Sequence, residues 1–293
     1  MANWATRRFW FHRSSTLPTI MTTLPTASQL VAKRREGGIT RTFNDIALIA
    51  QRNLLLDIRN PAVIIGATGF PVFLMLIFTA SFARVVIPQG SYADYAQFLV
   101  PLSIVQGLLF STASIGVALY NDLDSGMDTR LRTLPIARFA LLAGRILGGA
   151  GRLLAQVIII TFVGYFIGFR FQTGIVSILT FLFLPVIFAS AFSWIAVFFA
   201  VKAKAAESVQ VSMTSWLLPL TFLSIGLVPL EGFPEWLQGF VAINPVSVAA
   251  QALRGLATGG SAIGFVLETL LWSVAITVVF STLAIRAYQR RSA

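Results

Sequence analysis

Residue types that do covalent chemistry are scarce in this chain, and those present do not converge. There is no cysteine, hence no thiolate nucleophile, disulfide or iron–sulfur site. The single histidine, His12, stands in a polar stretch, whereas a zinc site needs three or four convergent donors, so no metal site is expected. No nucleophile–base pair stands out, and the chain does not read as an enzyme. A Walker-type phosphate loop needs Gly-Lys followed by Ser or Thr, so that backbone amides and the lysine cradle phosphates. The lysines are Lys33, Lys202 and Lys204, and none follows a glycine. The chain is therefore expected to bind neither ATP nor Mg itself, and an ATP-driven process would need an engine on another polypeptide.

The charges concentrate in one island, Asn121 to Gly144 (NDLDSGMDTRLRTLPIARFALLAG). It holds Asp122, Asp124 and Asp128, then Arg130, Arg132 and Arg138, punctuated by Gly126 and Pro135. Asp128 and Arg132 are four apart with the acid first, the order that favours a helix. Asp124 and Asp128 repel at the same spacing, which leaves room for a basic residue of a partner. One further acid, Glu268, lies inside an apolar run, roughly 10 Å deep at 1.5 Å per residue. Intramembrane carboxylates are costly and are candidates for function. Glu268 reads either as a hydrogen-bonded structural glutamate or as a proton- or substrate-coupling group.

The elements that must position these residues belong to a membrane. The chain is 56% hydrophobic and 11% charged with mean hydropathy +0.81, against about 25% charge in soluble domains. So little charge cannot cover a water-facing surface. A bilayer core of roughly 30 Å takes about 20 helical residues. Runs of that length occur at about 61–83, 98–121, 140–169, 175–201, 208–230 and 261–285. Before them, 42–60 alternates apolar residues with Asp45, Arg52, Asp57 and Arg59, as in a helix lying in the interface. Residues 1–41 read as a flexible tail. Its Thr6-Arg7-Arg8-Phe9 is followed by no apolar stretch, so an export signal is not expected, and residues 1–20 are expected to be dispensable. Glu231 to Gly260 is too broken by Pro234 and Pro245 to span, and reads as two short interfacial helices with Trp236 in the aromatic belt.

Six spans place both termini on one side. All but Arg84, Arg170 and Arg254 of the 22 basic residues then fall on that same side. The positive-inside rule makes it the cytosol, with the charged island there too. The net charge of +11 needs no nucleic acid to account for it. The expected fold is an all-α integral membrane protein with six transmembrane helices and cytosolic N- and C-termini. It has an N-terminal interfacial helix and short outer interfacial helices between spans 5 and 6. The expected home is the plasma membrane, specifically a bacterial inner membrane.

Several stripes run along the spans. Arg138, Arg145 and Arg152 recur every seven residues; they read either as a basic rail guiding an anionic lipid or substrate or, as is expected, as anchors reaching the headgroups from the end of span 3. Gly144, Gly148, Gly151 and Ala155 form a small-residue stripe that lets a neighbouring helix approach closely. Phe181, Phe188, Phe192 and Phe199 share a face of span 4 and are expected to meet lipid. Span 2 carries Ser103, Gln106, Ser111 and Ser114; span 5 carries Gln210, Thr214 and Thr221. Such groups either bond back to their own helix or line a path.

The order Leu123-Asp124-Ser125-Gly126, Arg130-Leu131-Arg132-Thr133-Leu134-Pro135, then Arg138 to Arg145 resembles the permeases of type-2 ABC exporters. In that family an acid and a glycine precede a leucine–arginine helix, and a Thr-x-Pro step leads into a small-residue-rich third span. Asp122 and Asp124 stand where the family usually has glutamates. Gly226 to Leu230, Phe233-Pro234 and Asn244-Pro245-Val246 match its Pro-rich outer segment after span 5. The likeness runs from about Asn60 to the C-terminus and is strongest to the daunorubicin-resistance subgroup.

The resemblance implies that Asp122, Asp124, Gly126, Asp128, Arg130, Arg132 and Pro135 belong to a coupling loop seated on a separate ABC ATPase. ATP and Mg would be held by that partner. It also implies pairing with a second permease copy or a homologue, near spans 2 and 5. Export of a hydrophobic drug or complex lipid would follow, with Ser103, Gln106, Ser111, Gln210, Thr214, Thr221 and Glu268 as the candidate substrate path. The rivals are a proton-coupled secondary transporter using Glu268 and a non-transporting membrane scaffold. The sequence carries no convincing internal repeat of the kind secondary transporters usually have.

Overall fold

The computed structural model describes residues 39–86, 89–126, 138–226 and 230–291. Nearly all of the expected tail lies outside these, as do Asp128, Arg130, Arg132 and Pro135 of the island. The described chain is helical: α1 (Ile39–Arg59), α2 (Pro61–Val86), α3 (Tyr92–Asp124), α4 (Arg138–Ile167), α5 (Ile175–Lys202), α6 (Ala206–Phe222), α7 (Glu235–Ile243), α8 (Pro245–Thr258) and α9 (Ile263–Arg291). Helices α2, α3, α4, α5 and α9 are long and apolar enough to cross a membrane. The pair α7–α8, bent by 68°, passes the same test jointly, as a broken span or a re-entrant loop. Helix α6 has 17 residues, about 25 Å at 1.5 Å each, and is shorter than the 208–230 span expected there.

The helix α3 is the centre. It starts on a capping box in which Ser91 and Asp94 satisfy each other's backbone amides. Residues 99–109 are buried on every side, as befits a helix apolar all round. Around it stand α2, α4, α5, α6 and α8. Helix α2 offers the bundle one stripe, Thr68, Pro71, Met75, Thr79 and Ala83, and exposes Phe70, Phe73 and Phe82. Its exposed rings need lipid as their solvent.

Two expectations change. The phenylalanine stripe of α5 does not face outward: Phe181, Phe188 and Phe192 are at most 2% exposed, and Phe199 packs beside them. Lipid and core are equally apolar, so the ring type does not reveal the facing; the packing of α3 and α9 against α5 does. Second, only α7 has the character of a surface helix, with Trp236 81% exposed. Helix α8 buries ten of its 14 residues against α3, α5 and α9. Its small residues (Ala249, Ala250, Ala252, Ala257) allow that close packing. Asn244 caps its start, and Gly259, in the left-handed conformation at φ 84°, ends it.

Candidate functional site: a polar ladder beneath the charged island

The charged island begins where α3 stops. The amide of Ser125 bonds back to the carbonyl of Asn121, and its hydroxyl donates to the carbonyl of Asp122 at 3.0 Å. Gly126 takes φ 71°, a left-handed turn that glycine adopts without strain and that terminates a helix. Asp124 is left exposed, while Asp122 turns toward α4.

There it meets Arg145, with 3.3 Å between guanidinium and carboxylate. The same arginine nitrogen donates to Asn53 Oδ1 of α1 at 2.9 Å. Asn53 is buried and directs its amide at the carbonyl of Gly144, 3.5 Å away. Two turns along α4, Arg152 is only 6% exposed and repeats the pattern. It lies 3.8 Å from Asp57 of α1 and donates to Ser114 Oγ of α3 at 3.0 Å. A turn further, Gln156 accepts from Ser111 Oγ at 2.7 Å and donates to the carbonyl of Ala67 in α2 at 3.0 Å. Arg145, Arg152 and Gln156 thus form a ladder tying α1, α2 and α3 to α4.

This overturns the expectation that Arg145 and Arg152 reach outward to headgroups. Helix α1 covers them and supplies Asn53 and Asp57, so the charges are paired inside the protein. Burying a charge is tolerable when it is paired and hydrogen-bonded. The side chain of Arg138 lies outside what is described.

The approach of α1 depends on the glycine stripe. A Cβ at Gly144 would lie 2.7 Å from Ile49, and one at Gly148 would lie 2.5 Å from the Cβ of Asn53 and 2.9 Å from the carbonyl of Ala50. At Gly151 it would run into the end of Leu54. The neighbour received by this stripe is therefore the N-terminal amphipathic helix.

The residues considered for a substrate path are dispersed. Ser103 and Thr221 are buried and bond to their own helices, at the carbonyls of Leu99 and Leu217. Ser111 belongs to the ladder. Gln106 is buried and, with Ser103, lines a small cavity between α2 and α3. Gln210 is exposed and Thr214 half-buried on α6; Glu268 is exposed on α9. None of the seven lines the open apolar cleft of about 440 Å³ bordered by α5, α6, α9 and the elbow between α7 and α8.

Sequence reasoning missed Asn53, Asp57 and Gln156, which act through partners far along the chain. It also counted Arg254 as an outer loop charge. Arg254 in fact donates to the carbonyls of Phe98, Ile225 and Gly226. The available signal was its position as the one charged residue in PVSVAAQALRGLAT.

Comparison with known proteins accords with this architecture. Residues 44–257 match the family model described as ABC-2 type transporter. The chain is 33% identical to the daunorubicin resistance ABC transporter permease protein DrrB1 of Streptomyces coeruleorubidus, over 80% of this chain and 82% of that protein. It is 32% identical to the "Probable doxorubicin resistance ABC transporter permease protein DrrC" of Mycobacterium tuberculosis, over 83% and 88% of the two lengths. The doxorubicin resistance ABC transporter permease protein DrrB of the same organism is 27% identical over 66% and 69%. By the extent of the family match and by these relatives, the chain belongs to the ABC-2 type transporter family, as a multi-pass membrane permease.

Proposed function

We propose that this chain is the membrane-spanning subunit of an ATP-driven exporter and that a separate ATPase chain docks on the 121–138 segment. ATP and Mg would be held by that ATPase. A complete transporter would contain two ATPase subunits and a second permease, either another copy or a homologue. The cargo is a hydrophobic drug-like compound or a complex lipid. By the positive-inside rule, Arg138, Lys202, Lys204, Arg286 and Arg290 support a cytosolic placement for the end of the bundle at which the segment starts.

One observation carries this reading. The helix that leads into the segment is bound to the bundle at its last turn, by Asp122 to Arg145 and through Arg145 to Asn53. A displacement applied there acts on α3, α4 and α1 together and is not absorbed by a slack loop. The names of the relatives, daunorubicin and doxorubicin resistance permeases, support a hydrophobic cargo.

The test is a double charge reversal, Asp128→Arg with Arg132→Asp. The variant is expected to insert normally and to leave ATP hydrolysis by the complex running while transport stops. Normal transport by that variant would refute the docking role of the segment.

A further inference from the structure

Between α1, α3 and α4 lies a pocket of about 70 Å³. A single water needs roughly 10–15 Å³, so the space holds something larger. Asn53 and Asp57 of α1, Arg145 and Arg152 of α4 and Ile115 of α3 line it, with Leu56 beside them. Two guanidiniums against one carboxylate leave the lining with a positive charge in excess. Asp122 pairs with Arg145 but is not part of the lining.

The pairing inside the pocket is incomplete. Arg152 is only 6% exposed, yet its Nη1 stands 3.8 Å from Asp57, beyond hydrogen-bond length. Its Nη2 donates to Ser114. Its Nε, also buried, has no hydrogen-bond partner among the described residues. A buried N–H without a partner is costly, and folded proteins normally satisfy it with protein, water or an ion. Asn53 is loosely held too, since its amide reaches the carbonyl of Gly144 only at 3.5 Å. Several N–H donors around an excess positive charge match the oxygens of a phosphate, which arginine binds with two parallel bonds.

The lining is most exposed on α1, at Leu56 (49%). On the same helix Leu48, Leu55 and Ile58 are exposed beside Arg52 and Arg59. Apolar and basic side chains mixed on an outward face suit a helix at the level of the lipid headgroups, where phosphates stand. We propose that this pocket binds a phosphate group, carried by an anionic lipid or free in solution, with Arg145, Arg152 and Asn53 as its donors. The arginines do not leave the protein to meet a phosphate; the pocket admits one to them. A phosphate there shares Arg145 with Asp122, so its binding bears on the turn where the charged island starts. The proposal stands whether or not an ATPase docks on the 121–138 segment.

The test titrates the full chain, in neutral detergent at constant ionic strength, with three probes followed by calorimetry. They are dioctanoyl phosphatidic acid, dioctanoylglycerol, which has the same tails and no phosphate, and inorganic phosphate. Phosphatidic acid is expected to bind and dioctanoylglycerol is not. Arg152→Gln should weaken binding by about tenfold or more, a factor that corresponds to about 1.4 kcal/mol. Asp57→Asn should tighten it by about fivefold, the effect of lifting one unit charge about 4 Å away even at the dielectric constant of water. Arg59→Gln removes an exposed charge of the same helix, which salt screens, and should change binding little.

Binding of phosphatidic acid without inorganic phosphate makes the ligand a lipid headgroup; binding of inorganic phosphate as well makes it the phosphate group itself. The site is refuted if neither binds, if dioctanoylglycerol binds as tightly as phosphatidic acid, or if an inserted Arg152→Gln binds like the parent. Should Arg152→Gln fail to insert, Asp57→Asn decides alone, because it keeps Arg152 and its bond to Ser114. Unchanged or weaker binding by Asp57→Asn would then overturn the proposal. A chain that binds phosphate in this way and exports nothing would overturn the exporter reading and leave the pocket standing.

Discussion

The glycine stripe of α4 allows a comparison in which the shorter contact should be the cheaper one. Alanine at Gly148 brings a Cβ to 2.5 Å from the Cβ of Asn53 and 2.9 Å from the backbone carbonyl of Ala50. Neither can swing aside: one is fixed to the backbone and the other is the backbone of α1. The helix itself has to move out, and the Asn53 bond to Arg145 moves with it. Alanine at Gly151 approaches Leu54 more closely, but what it meets first is a terminal methyl. Leu54 is 36% exposed, and its side chain has space to turn into.

Both substitutions gain the same helix propensity, about 1 kcal/mol, which cancels in their difference. Forced overpacking costs about 1–3 kcal/mol. A strained bond to a charged group adds to that at Gly148 alone. Gly148→Ala should therefore be less stable than Gly151→Ala by about 2 kcal/mol. For a chain of this size that corresponds to a Tm gap of roughly 4–8 °C. The six tryptophans allow both transitions to be followed by intrinsic fluorescence in detergent. Gly151→Ala should melt at or above the parent. If it melts as low as Gly148→Ala, the close packing of α1 on a rigid glycine face is wrong.

Two further outcomes follow from the packing. Phe181→Ala should lower stability by about 2 kcal/mol, the cavity and lost-contact part of the usual cost, since lipid supplies no hydrophobic drive of its own. Phe183→Ala, 51% exposed two residues away, should change Tm little; equal shifts would return the stripe to the lipid side. A double-mutant cycle on Asp122→Asn and Arg145→Gln should give a coupling energy of about 1 kcal/mol in thermal unfolding. Strictly additive effects would remove the tie between the island and α4.

What the sequence made legible follows from where charges are absent. The runs 61–83, 98–121, 140–169, 175–201 and 261–285 correspond to α2, α3, α4, α5 and α9, because a helix in lipid must be both long and nearly uncharged. The 42–60 stretch is likewise α1. The facing of apolar side chains was not legible. Phe181 was expected to meet lipid, yet the packing of neighbouring helices on α5 buries it and leaves Phe183, two residues on, exposed.

The end of α6 was hidden for another reason. Residues 208–230 are apolar enough to continue, yet the helix stops at Phe222; Asn244 takes up the carbonyls of Leu220 and Leu223, and Arg254 those of Ile225 and Gly226 just beyond, from some twenty to thirty positions away. Long-range pairing also hid the ladder. The heptad of Arg145 and Arg152 was visible, but not that Asn53 and Asp57, on a helix expected to rest in the interface, would cover it. Of the proposed docking segment, Asp122, Asp124 and Gly126 are placed, and they show how α3 ends; Asp128, Arg130, Arg132 and Pro135 lie outside the described residues.

The claim that an ATPase drives this permease is tested most directly by purifying the chain from native membranes in mild detergent and reconstituting whatever accompanies it into vesicles. The expected result is an ATPase chain in the purified complex and transport that stops when ATP is withheld. A chain that purifies without an ATPase and transports without ATP would contradict it.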